Sequence, residues 1–337
     1  MGHATRCIPI INALLKANYE PVLASDGDAL LLLQKEFPLL KSVELPSYNI
    51  SYPKNGKHLK FKLLLQLPHI ISAIKKERKM VAQLVDKENI AGIISDNRFG
   101  VYSKKVPSVY VTHQLKVLSG KITFITTKIH QKFIQKFDEC WVPDEEGISN
   151  FSGELGHLKK HRLNLKYLGI LSRFQPEALE ITYDLLLLLS GPEPQRTLLE
   201  HKLVKELKHF KGKILMVRGL LSNASEITAL GNFKIANHLL ANELEQAINQ
   251  SNLVIARSGY STIMDLAALG KKAFFIPTPG QFEQEYLAKR LQENLVAPYV
   301  KQDEFSASKL SDITNFYGFT KVDSTVDLDW FKLFEGK

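Results

Sequence analysis

The feature that most constrains the fold of this chain is the alternation of short apolar segments with longer amphipathic ones. Segments such as AGIISDN, YDLLLLLSG and NLVIARSG are continuously apolar and then end in Gly, Ser or Asn. Runs of this kind are typical of strands that are buried on both faces of a sheet. Alternation with helical segments favours right-handed βαβ units and parallel sheets. The sequence therefore predicts an α/β protein.

The alternation occurs twice along the 337 residues, which predicts two domains. A charged and less periodic stretch near residues 155–164 separates the two halves. We expect an N-terminal Rossmann-like domain over residues 1–160 and a second one over 161–310. Residues 311–337 then form a C-terminal tail, which we expect to pack back on the first domain.

The start of the chain has an unusual order of elements. The opening letters MGHATRC place a Gly-His pair directly before a helical segment, with only Met1 in front of it. In open parallel sheets the ligand-binding loops follow the carboxyl ends of strands, so a loop of this type normally comes after a strand. We therefore expect the N-terminal domain to lack its first, central strand of about 6–10 residues.

Charge is distributed unevenly between the two halves. Residues 1–170 hold 25 Lys and Arg against 15 Asp and Glu, a net of +10, whereas the remainder has a net of −1. The densest stretch, 54–79, interleaves eight basic residues with Leu, Ile and Phe. This pattern fits either a solvated surface or an anionic partner, for which we favour a membrane surface. Nucleic acid is disfavoured because there is no recognition helix and no aromatic stacking platform.

The compartment is predicted from the cysteines and from the start of the chain. The two cysteines form neither a disulfide framework nor a zinc-binding spacing, and no signal peptide opens the sequence. We expect a cytoplasmic protein that is peripheral on the inner face of the plasma membrane.

The stretch IARSGYSTIMDLAALGKKAFFIPTPGQFEQEYLAKRL, residues 255–291, is the most informative for function. A strand ends at Ser258-Gly259 and a helix begins near Ser261, so the N–H groups of the first helical turn point beyond the strand end. Such a helix N-terminus is a natural phosphate site. Asp265 lies one turn further on, where it could accept hydrogen bonds from a ribose. Each of these residues alone also fits ordinary helix capping.

Taken in order, these elements resemble the donor-binding half of glycosyltransferases with two facing Rossmann-like domains, the GT-B fold. The likeness is greatest to the lipid-linked N-acetylglucosaminyltransferase of bacterial peptidoglycan synthesis and its relatives in glycosyltransferase family 28. It extends over residues 2–300 and is strongest over 253–291. The resemblance implies inverting, metal-independent transfer of a hexose or N-acetylhexosamine from a UDP-sugar to a cell-envelope glycan or lipid-linked acceptor, with no further cofactor.

The resemblance also implies which residues bind the donor. They are Arg173, Ser258, Gly259, Ser261 and Thr262 at the diphosphate, Asp265 at the ribose, Leu240 and Ala241 at uracil, Gln284 and Glu285 at the sugar, and Gly191 at the glycine-rich turn. Three positions depart from the family pattern. Glu193 stands in place of a small hydroxyl residue, Asp265 in place of the commoner Glu, and Glu285 in place of a second Gln.

Two histidines are candidates for the base that removes a proton from the acceptor hydroxyl, because an imidazole titrates near neutral pH. His3 falls on the histidine of the family's first loop, and His113 falls at a strand end that faces the cleft on the acceptor side. We take His3 as the first candidate and His113 as the second. His3 could instead be a loop residue that bonds to the backbone.

Two other functions fit the same architecture, since a fold alone does not decide function. One is a sugar-nucleotide epimerase, which would need acid/base carboxylates, and the other is a non-catalytic nucleotide-sugar binder. The Asp-x-Asp spacings at 26–28 and 327–329 occur in metal-dependent glycosyltransferases. Because the first fits a turn after a strand and the second lies in the tail, we expect no metal site.

Overall fold

The computed structural model describes residues 2–48, 59–220 and 227–335, with no side-chain description for 59–67. The chain divides into two compact α/β units. Unit 1 holds the described residues up to Leu171 and again from Ser324, whereas unit 2 holds Ser172–Asp323. The units therefore change at 171/172 instead of 160/161, because the strand Leu165–Tyr167 pairs with a strand of unit 1. The tail predicted over 311–337 is itself divided at Asp323.

The strands of unit 1 form two parallel sheets. One pairs β1 (Leu23–Ser25) with β2 (Ser42–Glu44), and the other has the order β3 (Ile93–Asp96), β4 (Ser108–Val111), β5 (Glu139–Val142), β6 (Leu165–Tyr167). The helices are α1 (Gly2–Lys16), α2 (Gly27–Glu36), α3 (Leu59–Lys87) and α4 (Thr123–Ile134). Within the described ranges neither β1 nor β3 has a strand on its second edge. The additional first strand expected from the sequence stays a prediction.

A short C-terminal segment completes the core of unit 1. The 3₁₀ segment Leu328–Phe334 brings Trp330 and Phe331 against Trp141 of β5, with ring centroids 6.1 and 6.3 Å apart. Phe334 packs so closely on Gly92, just before β3, that a Cβ added there would meet its ring at 2.1 Å. Burial of these aromatic rings makes the segment part of the hydrophobic core.

In its described residues, unit 2 contains one six-stranded sheet. Its strands are β7 (Tyr183–Leu188), β8 (Ile214–Val217), β9 (Thr228–Leu230), β10 (Phe233–Ala236), β11 (Ser251–Ala256) and β12 (Ala273–Phe275), in the order β12-β11-β7-β8-β10-β9. All pairs are parallel except the pair β9–β10. The helices are α5 (Gln195–Leu207), α6 (Ala241–Asn249), α7 (Tyr260–Leu269) and α8 (Phe282–Glu293).

The parallel order of unit 2 determines where a ligand can bind. The central strands β8 and β11 are almost entirely buried, and β7 is buried at Leu185, Leu186 and Leu187, as expected for strands with helices on both faces. The loops that follow β7, β11 and β12 lie at the same carboxyl edge, since these strands run in the same direction. This edge is where open α/β sheets bind ligands.

Candidate active site

Both predicted histidines of unit 1 belong to one polar cluster. His3 lies in the first turn of α1, not in the loop that the sequence predicted, and its side chain is 55% exposed. His113 follows β4 and is buried. Asp96, the last residue of β3, lies with Oδ1 2.9 Å from His3 Nδ1. The cluster therefore joins α1, β3 and the loop after β4.

Arg6 stands at the centre of this cluster, one helical turn after His3. Its Nε donates to Asp96 Oδ2 at 2.8 Å, its Nη2 donates to Asp96 Oδ1, and its Nη1 lies 2.9 Å from His113 Nδ1. Burial raises the pKa of the Asp96 carboxyl, but the charges and hydrogen bonds of Arg6 and His3 lower it more, so that it lies well below its usual range. Asp96 is therefore ionised at physiological pH.

In unit 2, the N-terminus of α7 is open where the sequence predicts a phosphate. Gly259 is the N-cap residue, and no side chain caps this helix end. Its φ of −72° suits any residue, and a Cβ added to it would meet no atom within 4 Å. Neither backbone geometry nor packing requires glycine here. The open space allows a ligand to approach the first helical turn, which carries Ser261 and Thr262.

Asp265 and Arg173 lie together beside this helix end. The Ser172 hydroxyl donates to Asp265 Oδ1 at 2.7 Å. Burial raises the pKa of Asp265 to about 6, although the positive charge of Arg173 and the Ser172 hydrogen bond lower it in part. The Arg173 guanidinium also lies 4.8 Å from the ring centroid of Phe174. Residues 172–173 therefore bring a cation and a hydroxyl to the carboxylate that the sequence predicts at the ribose.

The two predicted sugar-binding residues serve the backbone of the loop after β12. Gln284 Oε1 accepts a hydrogen bond from Thr278 N at 2.8 Å, and Glu285 Oε1 accepts one from Gly280 N at 3.0 Å. The buried Ser258 hydroxyl donates to the Gln284 carbonyl at 2.7 Å, which links this loop to the one after β11. A contact of Gln284 and Glu285 with a sugar stays a prediction.

The glycine-rich turn after β7 carries a carboxylate. Gly191 adopts φ +104°, a left-handed conformation that favours glycine. A Cβ added to Gly191 would lie 3.7 Å from Thr278 Oγ1. Glu193 accepts hydrogen bonds from Arg196 Nε at 2.7 Å and from Thr197 N at 3.3 Å, in the first turn of α5. Since this carboxylate already caps α5, the N-terminus of α7 is the better anion site of the two.

The pair predicted near uracil lies at the start of α6. Leu240 is the N-cap residue, and its N–H donates to Glu243 Oε2 at 2.9 Å. This backbone donor is therefore occupied by the helix cap, while the Leu240 side chain is exposed. A role of Leu240 and Ala241 in base binding stays a prediction.

Sequence analysis missed three residues of the two clusters, namely Arg6, Asp96 and Ser172. Arg6 follows His3 at the i+3 spacing that places two residues on the same helix face, which is a usable signal. Asp96 ends a predicted strand, the position at which ligand-edge residues occur. The hydrogen bond between Ser172 and Asp265 joins residues 93 positions apart, and no local pattern indicates it.

An aspartate of each Asp-x-Asp segment forms an ion pair. Asp26 forms an ion pair with Arg98, and Asp329 forms one with Lys332 at 2.7 Å. Across the described part of the chain, no group of three or more His, Cys, Asp and Glu side chains is arranged to hold a metal ion. No helix in the described ranges is both long and apolar enough to cross a membrane.

Comparison with known proteins concerns the family and the fold. Residues 195–315 match the glycosyltransferase family 28 C-terminal domain. The UDP-N-acetylglucosamine--N-acetylmuramyl-(pentapeptide) pyrophosphoryl-undecaprenol N-acetylglucosamine transferase of Haemophilus ducreyi is 25% identical over 209 residues, which span 60% of this chain and 56% of that enzyme. The match therefore covers little more than half of the relative's length.

Two solved structures share the fold at low sequence identity. The spinosyn rhamnosyltransferase SpnG has a TM-score of 0.63 at 12% identity, over 99% of this chain and 92% of its own. MurG of Acinetobacter baumannii has a TM-score of 0.54 at 14% identity, over 94% of this chain and 89% of its own.

The matched domain and the solved structures belong to glycosyltransferases, and the solved structures show the GT-B fold that the sequence predicted. Within that class the chain is similar to MurG and to the N-acetylglucosamine transferase of H. ducreyi. The predicted fold class and resemblance are thereby confirmed.

Proposed function

We propose that this chain transfers a hexose or N-acetylhexosamine from a UDP-sugar to a hydroxyl group of a lipid-linked or cell-envelope acceptor, with inversion and without a metal ion. The observation that carries the proposal is the uncapped N-terminus of α7, where Gly259 leaves open space over the first helical turn. Matched relatives bear the name of a transferase that uses UDP-N-acetylglucosamine and an undecaprenol-linked acceptor.

In this proposal the residues of unit 2 stabilise the leaving diphosphate. Departure of a nucleoside diphosphate develops negative charge, which backbone N–H groups at a helix N-terminus and a nearby cation stabilise. Ser261 and Thr262 contribute the helix end and Arg173 contributes the cation. Asp265 accepts hydrogen bonds from the ribose hydroxyls, while Gln284 and Glu285 bind the sugar.

The residues of unit 1 activate the acceptor. His3 is the exposed histidine of the cluster, and its ring is oriented by the ionised Asp96 at 2.9 Å. A neutral imidazole held in this way can take the proton of the acceptor hydroxyl as that oxygen attacks the anomeric carbon. Attack from the face opposite the leaving diphosphate inverts that carbon.

One incubation tests the proposal against the two other functions. The protein is incubated with labelled UDP-sugars, with and without a bacterial lipid extract, and both UDP and labelled lipid are measured. Transfer predicts UDP release and labelled lipid only when the extract is present, and a His3→Gln variant should lose at least about 100-fold of this turnover. A changed sugar nucleotide without acceptor would instead identify an epimerase, and binding without any product would identify a non-catalytic binder.

We also propose that unit 1 binds the anionic face of a membrane, through α4. Phe124, Ile125 and Ile129 are 69%, 57% and 51% exposed, and this helix carries Lys128 and Lys132 with no acidic residue. Apolar side chains among lysines suit insertion at an anionic interface. This surface is better supported than the stretch 54–79 that the sequence predicted.

The stretch 54–79 offers less exposed apolar surface in the part that the structure describes. Its residues 54–58 and the side chains of 59–67 lie outside the described residues. In the remainder Ala73 and Glu77 are buried, and Ile71 is the large apolar side chain that is exposed.

A further inference from the structure

Arg6 contacts both histidines and the carboxylate between them, which gives it an influence over both rings. Its side chain and that of Asp96 are only 3% and 5% exposed, so both groups depend on each other instead of on water. A guanidinium has five N–H donors and no acceptor, whereas an ionised carboxylate has acceptors only. These fixed roles determine which nitrogen of each imidazole carries the proton.

On His3, the proton belongs on Nδ1. Asp96 Oδ1 lies 2.9 Å from that nitrogen and can only accept, so Nδ1 donates to it, whereas Arg6 Nη2 lies farther from Nδ1, at 3.2 Å, and donates to Asp96 Oδ1 instead. The lone pair is then on Nε2. The Asn97 amide nitrogen, which can only donate, lies 3.5 Å from Nε2. Tyr110 fixes this amide by donating its hydroxyl hydrogen to Asn97 Oδ1 at 2.9 Å.

On His113, the proton belongs on the other nitrogen. Arg6 Nη1 lies 2.9 Å from His113 Nδ1 and can only donate, so Nδ1 has to accept. The neutral ring then carries its hydrogen on Nε2. A second proton would place an imidazolium against the guanidinium inside the protein, which is unfavourable for two buried like charges.

We propose that Asp96 and Arg6 are positioning residues that give His3 and His113 opposite tautomers, and that His3 is therefore the base and His113 a hydrogen-bond donor. This inference rests on the proposed function and decides between its two candidate bases. In the proposed step, His3 Nε2 takes the hydroxyl proton and the acceptor oxygen bonds to the anomeric carbon. The electron pair of the broken bond leaves with the diphosphate. The imidazolium that forms is stabilised by Asp96.

The test is a long-range ¹H–¹⁵N spectrum of histidine-labelled protein at pH 8, without substrate. Each ring is assigned by the signals that vanish in His3→Gln and in His113→Gln. We expect the Nδ1–H pattern for His3 and the Nε2–H pattern for His113. Equal tautomers in the two rings, or the reverse assignment, would overturn the proposal.

A substitution separates positioning from a merely structural role. Arg6→Lys keeps the charge but loses the planar fork, so the His113 signals should move toward the average of the two tautomers. The exposed Arg162→Lys is the matched control and should leave both rings unchanged. If Arg6→Lys is folded and leaves both patterns in place, Arg6 does not position them.

Turnover provides the second readout and keeps the two proposals apart. With UDP-sugar and lipid extract, His3→Gln should lose at least about 100-fold and His113→Gln about 10-fold, as expected for a base and for a hydrogen-bond donor. Absence of turnover with the expected tautomers would refute the proposed transferase and leave the tautomer assignment intact. Turnover with a larger loss in His113→Gln than in His3→Gln would overturn the roles given to the two rings.

Discussion

Gly259 is the single residue at which a ligand-binding role separates most clearly from a structural one. Its φ of −72° and the open space around an added Cβ mean that Gly259→Ala should fold normally. If the donor diphosphate approaches the backbone there, the same methyl group should weaken UDP binding tenfold or more, about 1.4 kcal/mol. Gly147→Ala is a matched control, because a Cβ at Gly147 also meets open space. Thermal unfolding checks that Gly259→Ala folds normally, and calorimetric titration measures its UDP affinity. If Gly259→Ala binds UDP as tightly as the wild type, the phosphate does not bind at this helix end.

Asp265 should make donor binding depend on pH. Its pKa is raised to about 6, so the carboxylate that we propose accepts from the ribose is protonated in acid. We expect the UDP affinity of the wild type to fall as the pH drops below about 6. Asp265→Asn should bind UDP more than tenfold more weakly at pH 8 and show less pH dependence, whereas the exposed Asp312→Asn should behave as wild type. Calorimetric titrations with UDP at pH 5 and pH 8 measure this effect. The assignment is contradicted if the ratio of the UDP affinities at the two pH values is the same in the wild type, Asp265→Asn and Asp312→Asn.

The same carboxyl should lower the stability of the folded protein at neutral pH. A pKa that is higher in the folded state than in the unfolded chain means that folding takes up a proton between about pH 4 and pH 6. Stability from this group is therefore present in acid and lost as the pH rises through about 6. Asp265→Asn, which stays neutral and can still accept from Ser172, should raise the Tm at pH 8 and change it little at pH 4.5. If the Tm of Asp265→Asn at pH 8 were lower than that of the wild type, the charged form of Asp265 would stabilise the fold.

The sequence could predict the role of a residue when its partners lie close to it in the chain, but not when they lie far apart. The strand–Ser-Gly–helix element is local, so the order of Ser258, Gly259 and Asp265 was visible in the letters. The contacts of Arg6 with Asp96 and His113 join residues 90 and 107 positions apart, and their geometry arises only when β3 and β4 pair. The histidines could be proposed from residue type, but their different tautomers could not.

At the scale of elements, strands with a continuous apolar run were predictable, and the hairpin at one end of the unit 2 sheet was not. The segments of β4, β8 and β11 contain continuous apolar runs, which matches the burial of nearly all their residues. The hairpin of β9 and β10 was missed, although its turn at Gly231-Asn232 lies between two apolar runs, a usable hairpin signal. The apolar segment LVAPYVK makes one bridge, Phe275 to Tyr299, beside Pro298, which cannot donate.

The C-terminal 3₁₀ segment should contribute to the stability of unit 1 through its contact with the chain before β3. Since a Cβ at Gly92 would lie 2.1 Å from the Phe334 ring, Gly92→Ala should lower the free energy of unfolding by about 1–3 kcal/mol. The same substitution should cost much less in a Phe334→Ala background, because the clashing ring is then absent. Denaturant unfolding of the four proteins measures this coupling. Equal costs of Gly92→Ala in both backgrounds would mean that Phe334 does not pack there.

On the scale of the whole molecule, the two units differ in charge as well as in structure. The excess of positive charge lies within residues 1–170, and the uncapped helix end and Asp265 lie in unit 2. An unequal division of this kind suits a protein in which one unit approaches an anionic surface and the other binds a nucleotide. The uneven charge was visible in the composition. The surface of unit 1 that would contact a membrane could not be predicted from composition, because it depends on which apolar side chains the fold leaves exposed.

Membrane binding should therefore depend on α4 and on salt. Each exposed lysine near an anionic surface contributes about 1 kcal/mol, and each inserted Phe or Ile about 1.5–3 kcal/mol, so the apolar residues should dominate. We expect the wild type to sediment with phosphatidylglycerol vesicles at low salt, to stay in solution with phosphatidylcholine, and to dissociate as salt screens the lysines. Phe124→Ser with Ile125→Ser should reduce binding at least tenfold, whereas Ile148→Ser, which changes a 98% exposed side chain elsewhere in unit 1, should not. If changing Lys75, Lys76, Arg78 and Lys79 to Gln abolishes binding and the α4 pair does not, the stretch 54–79 is the membrane segment. If the wild type stays in the supernatant with anionic vesicles, the acceptor is better sought among soluble molecules.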